Sequence, residues 1–419
     1  MNALFPSLPS AALANLNLLP EALKRARPLN AAQRRSLPED AAALSCLLTT
    51  ERAELRRPYW AFPPFVSAYL YYFLPWNLVR LARLFSVLPL PEPDVGALLA
   101  DIGSGPLSLP MALWLARPDM DSAPPQIFAL DISPQPLELG RNLFAIWAEL
   151  CGRRVWPVRI QRGAARGSAR ALSPLLSDRR THLWLMSAAN MLNEGGLGRA
   201  KGALARGESG GFRDGGSIRA DLLRSFLALS RQGQSSLLTV EPGTRLGGKT
   251  VMALREQALE KGLAPRAPCT HSGQCPLQKG PRRAWCHFTF EADGAPEWLE
   301  QLSRQAGLSK TALSLSFLLL RPKDEERAAP ETRPKFSPQD RGTPARILSE
   351  PFMVPNLAGK ARYACCQRGL ALLENAGDMP QGAELRIDVR PDTPRDAKSG
   401  ALIARQGRTR PSALQKNLP

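Results

Sequence analysis

Seven cysteines occur in 419 residues, and three of them, Cys269, Cys275 and Cys286, share the stretch APCTHSGQCPLQKGPRRAWC, while the adjacent pair Cys365 and Cys366 lies far downstream. The stretch is crowded with turn residues (Pro268, Ser272, Gly273, Pro276, Gly280, Pro281) and has little apolar periodicity, so it has no hydrophobic face to bury. Thiolate coordination would supply the missing cohesion, because a bound metal orders a loop that nothing else holds. A disulfide framework fits poorly: the cysteine count is odd, the chain is long and no secretory segment opens it. Zinc prefers pairs two to four residues apart followed by a second pair, whereas the gaps here are five and ten residues, and His271 or His287 would have to complete a Cys3His set. An iron–sulfur cluster tolerates wider spacing and a distant fourth cysteine. Spacing leaves the two metals even. Cys46 and Cys151 suit the role of small buried hydrophobes instead.

A second constellation is Asp101-Ile102-Gly103-Ser104-Gly105. Here an apolar strand runs into a glycine turn, where a nucleoside-type ligand can approach backbone free of side chains at the carboxyl edge of a sheet. Asp131 ends the next apolar run, IFALD, in position to accept both hydroxyls of a ribose. Asp101, Gly103, Ser104, Gly105 and Asp131 therefore form a candidate site for S-adenosylmethionine or a dinucleotide. Leu107 stands where a further glycine often follows, and a turn that needs two glycines for shape alone is the rival explanation. Residues 243–250, GTRLGGKT, match the phosphate-loop pattern G-x4-G-K-[ST]. That match is rejected, since the loop would follow a late strand and no later apolar strand ends in the aspartate that would help hold magnesium. Glu241-Pro242-Gly243 reads better as the rim of a cleft, with Lys249 a candidate contact to RNA phosphate. Asn190, Asn193 and Glu194 follow the strand HLWLM where acceptor groups are usually held, although polar helix caps explain them equally well. With three histidines in all, His182, His271 and His287, general-base chemistry has few candidates and no catalytic residue is assigned.

These residues need a scaffold, and the spacing of apolar runs predicts one. Strands at 97–105, 127–131, 182–186 and 236–241 alternate with helices at 106–117 and 137–150, the pattern of a parallel sheet covered on both faces. Upstream, the segment 1–92 reads as a helical region, although its acid-poor start (Lys24, Arg25, Arg27, Arg34, Arg35) would also suit a transit peptide. The α/β domain spans 93–322 with the cysteine-rich insertion at 268–287, and a Gly/Arg-rich surface insertion is expected at 195–217. A charged, proline-rich linker follows at 323–345, then a small β module at 346–390 and a disordered basic tail at 391–419. Tyr69 to Leu88 is broken by Pro75 and carries Arg80 and Arg83, so no apolar run reaches the ~20 residues of a membrane span and a soluble protein is expected.

The formal net charge is +18, which attracts polyanions at long range. Basic residues cluster at 24–35, at 153–170 (Arg153, Arg154, Arg159, Arg162, Arg166, Arg170), at 199–219 and in the tail (Arg405, Arg408, Arg410, Lys416), which favours nucleic acid over a mere drift toward arginine.

The succession LLADIGSGP, ALDIS, VEPGT, APCTHSGQCPL, AWCHF and YACCQRG resembles the methyltransferase-like family of mitochondrial small-ribosomal-subunit assembly proteins and their bacterial relatives, over about 97–375. The resemblance implies a class I methyltransferase-like Rossmann sheet with an added [4Fe–4S] site, whose ligands here would be Cys269, Cys275, Cys286 and a fourth from the CC pair. Cys365 is preferred because the family's cysteine lies a few residues ahead of a glycine, here Gly369, and Cys366 is the alternative. It further implies S-adenosylmethionine as a cofactor candidate, association with small-subunit (16S-type) rRNA, and a monomer off the ribosome in the bacterial cytoplasm or, in a eukaryote, the mitochondrial matrix. Three functions follow: an RNA-binding scaffold acting in small-subunit assembly or translation, an active S-adenosylmethionine-dependent rRNA methyltransferase, or a zinc-stabilised nucleic-acid module. In the first, the cluster pins loop 268–287 against the β module and Lys279, Arg282 and Arg283 meet phosphates.

Overall fold

The computed structural model describes residues 4–49, 59–192, 214–231, 235–279, 284–323, 342–355 and 357–406. Four helices come first: α1 (Ser10–Ala26), α2 (Ala31–Thr49), α3 (Pro63–Ala68) and α4 (Leu74–Phe85), with one wider turn over Tyr69–Phe73 joining the last two. Pro75 falls in the opening turn of α4, where its missing N–H is not needed. Buried Leu16, Leu19 and Leu23 make one apolar stripe on α1. That stripe meets α6 (Pro134–Leu150), and the Trp147 indole donates to the Asn15 carbonyl at 2.8 Å. Buried Arg83 of α4 ties the start of the described chain down, donating to the carbonyls of Phe5 and Pro6 and to the Asp293 carboxylate at 2.6 Å. Among the described residues no helix is long and apolar enough to cross a membrane.

The main sheet is built from β1 (Ala97–Ile102), β2 (Gln126–Asp131), β3 (Val158–Arg162), β4 (His182–Ala189), β5 (Ser236–Pro242), β6 (Leu263–Ala267), β7 (Phe288–Glu291) and β8 (Ala312–Pro322). Its order is β3-β2-β1-β4-β5-β8-β6, with β7 added on β8. The first five strands are parallel, and β8 enters antiparallel between β5 and β6. The left half is doubly wound, and the reversed β8 gives the class I methyltransferase variant of the Rossmann sheet. Side chains of β1 alternate between two cores, as a strand buried on both faces requires. Leu99 joins the core shared with α1, α4 and α5 (Ser108–Ala116), whereas Leu98, Ala100 and Ile102 join the one beneath α7 (Ser168–Leu176), α8 (Asp214–Leu229) and α9 (Arg245–Glu260).

Downstream lies a separate barrel of β9 (Thr343–Ile347), β11 (Lys360–Cys366), β12 (Gly369–Leu373), β13 (Glu384–Asp388) and β14 (Leu402–Gln406), with the short β10 (Phe352–Met353) added on β11. Pairing of β9 with both β13 and β11 closes the ring and leaves no free edge among these five. Two expectations are corrected here. The barrel begins at Thr343 and runs to Gln406, so the basic tail expected to be disordered from 391 contains a strand that pairs with β12 and β13. Only Leu402, Ile403 and Ala404 signal it, a run too short to stand out among lysine and arginine. The insertion expected to reach 217 ends earlier, because α8 starts at Asp214; residues 193–213, the bulk of the linker (324–341) and 407–419 lie outside the described residues.

Helix α6 touches the chain just after the glycine turn at one point. A methyl group on Gly140 would stand 2.4 Å from the Pro106 carbonyl carbon and 2.7 Å from its Cα, both backbone atoms that cannot swing aside. Gly140→Ala would otherwise favour the helix by about 1 kcal/mol. We expect the clash, at about 1–3 kcal/mol before that gain is set against it, to win and to lower the urea midpoint with an unchanged slope; an unchanged or higher midpoint would show that the turn yields freely.

Candidate functional site

Two places in the molecule gather the residues singled out by sequence. In the first, the segment after β6, the start of β7, the inner face of α9 and the barrel strands β9 and β11 enclose a cavity of about 30 Å³. Its lining includes Cys269, Cys275, Cys286 and Cys365, with Val251, Met252, Phe288, Phe317 and Leu348 filling the apolar remainder. Sequence-remote thiols thus meet between the sheet and the barrel. The strand period explains which member of the CC pair takes part. Consecutive residues of β11 point to opposite faces, so Cys365 turns to the cavity while Cys366 is buried in the barrel's own core, its thiol donating to the Gly369 carbonyl at 3.3 Å.

Two buried guanidiniums complete the lining. Arg255 on α9 donates from Nε to Cys269 Sγ at 3.3 Å and from Nη2 to the carbonyls of His271 (3.1 Å) and Gly273 (2.6 Å), so it clamps the loop and faces its first thiol at once. Arg346 on β9 donates to the Pro268 carbonyl at 2.9 Å and pairs with Glu384 at 2.7 Å. Sequence reasoning missed both, since a single arginine in a helix or strand looks like any surface residue. Burial pushes the thiols of Cys286 and Cys365 well up, and the negative charge of the neighbouring cysteines adds to the effect. Ionising such a set together requires positive charge among them. His271 Nε2 lies 3.4 Å from Cys365 Sγ, and burial holds its imidazole neutral, down to about 4. His287 instead stacks on Trp285. Among the described residues no group of three or more His, Cys, Asp or Glu side chains is arranged to hold a metal ion. Arg282 and Arg283, and the side chain of Lys279, lie outside the described residues.

The phosphate-loop lookalike belongs to this first place. Thr244 caps α9 by accepting from the Gly247 N–H at 3.2 Å, and Gly248 is glycine because a methyl there would meet Trp285 at 2.5 Å and the Cys286 carbonyl at 2.7 Å. Trp285 in turn donates to the Gly243 carbonyl at 3.1 Å. Gly248 thus lets the cysteine loop pack on the helix, Gly243 admits Ser314 of β8, and Lys249 is half-buried.

The second place is the carboxyl edge of the sheet. Gly103 and Gly105 both take positive φ, +70° and +53°, as does Leu107 at +60°, and the tight turn these make is fixed from two sides. From below, buried Asp101 accepts from the Ser104 and Ser187 hydroxyls at 2.6 and 2.7 Å. Both its oxygens face inward, so Asp101 shapes the turn instead of meeting a ligand. From beside, Asp131 accepts from the N–H groups of Gly105 and Ser133, each at 2.9 Å. A carboxylate has about four lone-pair positions, so Asp131 keeps capacity for a hydroxyl-bearing ligand. Next to it Ile132 is 63% exposed. Met191 faces Gly103, whose missing side chain leaves it room. Asn190, at φ +57°, accepts from Arg80 at 3.1 Å through its side-chain oxygen, whereas Asn193 and Glu194 lie outside the described residues.

With this geometry in view, comparison with known proteins adds one family. Residues 215–296 match the family model of the mitochondrial small ribosomal subunit protein Rsm22. That segment is similar to Rsm22. It covers α8 through β7 and contains Cys269, Cys275 and Cys286, so the family resemblance read from the sequence is borne out where the cysteine loop lies. Comparison with curated sequences finds no match. Solved structures similar in part include NSun6 from Pyrococcus horikoshii (13% identical, 60% of this chain and 52% of that one, TM-score 0.34) and TrmN from Thermus thermophilus (17%, 60% and 53%, 0.29). A SAM-dependent methyltransferase from Agrobacterium tumefaciens is a third (11%, 59% and 61%, 0.30). The chain spans about half the length of the first two, and the fold assignment rests on strand order and not on these scores. The matched segment therefore contributes three of the four cavity thiols, while the glycine turn and Cys365 come from outside it.

Burial raises Asp101 to about 6. Its folded pKa exceeds the unfolded value, so the folded state holds the proton more tightly and stability from this group is lost as pH rises from about 4 through 6. Asp101→Asn lacks that loss. Urea titrations should show the stability of Asp101→Asn relative to the parent growing between pH 4.5 and 7.5, by about 2 kcal/mol; a pH-independent difference would mean that Asp101 is charged in the folded protein throughout.

Proposed function

We propose that this chain is a methyltransferase-like, RNA-binding protein that acts on the small ribosomal subunit during assembly or translation, and that a [4Fe–4S] centre ties its two domains together. The observation that carries the reading is the convergence of Cys269, Cys275, Cys286 and Cys365 on one cavity. Its support is chemical. Four thiols line the cavity with two buried guanidiniums, of which Arg255 reaches Cys269 Sγ while Glu256 and Glu384 hold the pair in place. A lone zinc ion needs sulfurs about 2.3 Å from a single centre, whereas a cube of iron and sulfide takes its ligands farther apart and admits a distant fourth cysteine. Cys269, Cys275, Cys286 and Cys365 would hold the cluster, which would supply a cross-link between loop and barrel. Arg255 orients the loop by its two carbonyls, and Arg346 fixes the barrel strand to Pro268.

S-adenosylmethionine, when bound, supplies an electrophilic methyl group. Gly105 and Asp131 would hold it, Asp131 through its remaining lone pairs, with Gly103 giving close backbone approach and Asp101 keeping the turn in shape. An active S-adenosylmethionine-dependent rRNA methyltransferase is the second reading, favoured by this turn. The family match points to the small ribosomal subunit, and to the mitochondrial matrix if the source is eukaryotic.

Anaerobic purification should give a brown protein with about four irons and four sulfides per chain, and Cys365→Ser should lose both while Cys366→Ser keeps them. A colourless protein with one zinc, or equal loss from the two serine variants, would overturn the cluster assignment. Calorimetry with S-adenosylmethionine tests the turn separately: heat of binding abolished by Asp131→Ala is expected, and no heat from the parent protein would remove methyl transfer from its functions.

A further inference from the structure

Residues 153–180 contain eight arginines and a single acid, Asp178. The fold removes one arginine from consideration and leaves most of the others open. Arg153 serves the interior: it bonds Asp121 at 2.8 and 3.0 Å, donates to the Trp114 carbonyl at 2.9 Å and covers the Trp114 ring at 4.0 Å. Arg154, Arg159, Arg162 and Arg170 are exposed, and among the described residues none pairs with a carboxylate. Arg166, 65% exposed, approaches Asp221 only at 3.5 Å. Arg25, Arg141, Arg304 and Arg405, elsewhere on the surface, each reach a glutamate.

These arginines have a direction. Strand β3 is the outer strand of the main sheet, and five residues of strand extend roughly 16 Å. Arg154 precedes it; Arg159 stands opposite Phe128, and Arg162, three residues on and so on the other face of the strand, stands opposite Asp131, the carboxylate that steadies the glycine turn, which sets guanidiniums on both sides of the exposed edge. Arg166 and Arg170 continue past the strand into the turn Ala165–Gly167 and helix α7. Charges on an outer strand can serve merely to stop it pairing with another sheet. One or two charges of either sign would do that, and Arg166 and Arg170 lie off the strand. A protein partner would want an apolar centre to its interface, and Val155 is the single large exposed hydrophobic residue in this stretch. Planar guanidinium forks match phosphate oxygens two at a time.

We propose that the β3 edge is the face on which an RNA backbone docks, running from Arg154 toward Arg166 and so delivering the strand to the carboxyl edge beside Asp131. This deepens the RNA-binding reading above by naming the surface, and it is independent of what fills the thiol cavity.

The test is fluorescence anisotropy of the full chain with a labelled transcript of small-subunit rRNA across a salt series. Arg159→Glu/Arg162→Glu and, as a milder pair, Arg159→Gln/Arg162→Gln are compared with Arg141→Glu/Arg304→Glu, which changes net charge equally outside the basic clusters; circular dichroism melts verify folding. Each phosphate contact adds about 0.7 to the salt slope on a single strand. The glutamate pair at β3 should weaken binding about tenfold or more and flatten the slope by about 1, the glutamine pair should act in the same direction, and the control pair should bind as the parent does. Equal losses from the β3 and control pairs would reduce the effect to net charge and overturn the proposal, as would β3 variants that bind like the parent. Equal loss of polyglutamate binding would reassign the face to polyanions in general and against RNA. A parent protein that ignores the transcript altogether would defeat the RNA-binding reading itself.

Discussion

Sulfur that must leave water is the constraint around which the rest of this molecule is arranged. The loop from Pro268 to Cys286 has too few apolar residues to hold itself, and its described residues, 268–279 and 284–286, are nevertheless seated between two domains. What seats it is a set of polar attachments from outside: Arg255 to its carbonyls, Arg346 to Pro268, Trp285 to the turn before α9. Each attachment comes from a different element, so the loop's shape depends on the barrel and the sheet being docked together. A centre gripping the four thiols would close the same circuit chemically, and losing it would release loop and barrel at once.

The glycine turn obeys a different rule. Its backbone strain, three residues at positive φ, is held by carboxylates whose oxygens are already engaged by protein hydrogens. Asp101 tolerates burial because two hydroxyls donate to it, yet its raised pKa records what removal from water costs. The turn can therefore keep its form with or without a ligand, which is why its shape and its activity need separate measurements.

Much of this was legible in the sequence. Strands β1, β2, β4 and β5 show as continuous apolar runs because they are buried on both faces, and the cysteine loop shows because it lacks any such run. Strand β8 went unread although Leu313, Leu315 and Phe317 alternate with Ser314 and Ser316, since nothing local says that it must run antiparallel to β5. Arg255 and Arg346 were illegible in principle: their burial is produced by the docking of α9 and β9 around the thiols, a tertiary fact with no local signature. The choice of Cys365 over Cys366 was made on family spacing, and the structure adds the parity of a strand, which allows only one of two adjacent residues to face the cavity.

The reading of GTRLGGKT shows how the same residues serve unrelated ends. A phosphate loop uses glycine so that an anion can approach backbone N–H groups, whereas here Gly243 and Gly248 admit Ser314, Trp285 and the Cys286 carbonyl to the same backbone. Close approach is the shared requirement, and the identity of the visitor is what the motif cannot encode. Since Thr244 already accepts from Gly247 and the indole of Trp285 already donates to Gly243, the helix start is satisfied by the protein itself. Packing of the cysteine loop on α9 therefore explains the glycines without a nucleotide, and it makes α9 the element through which any rearrangement of the thiols would be felt at the β5 end of the sheet.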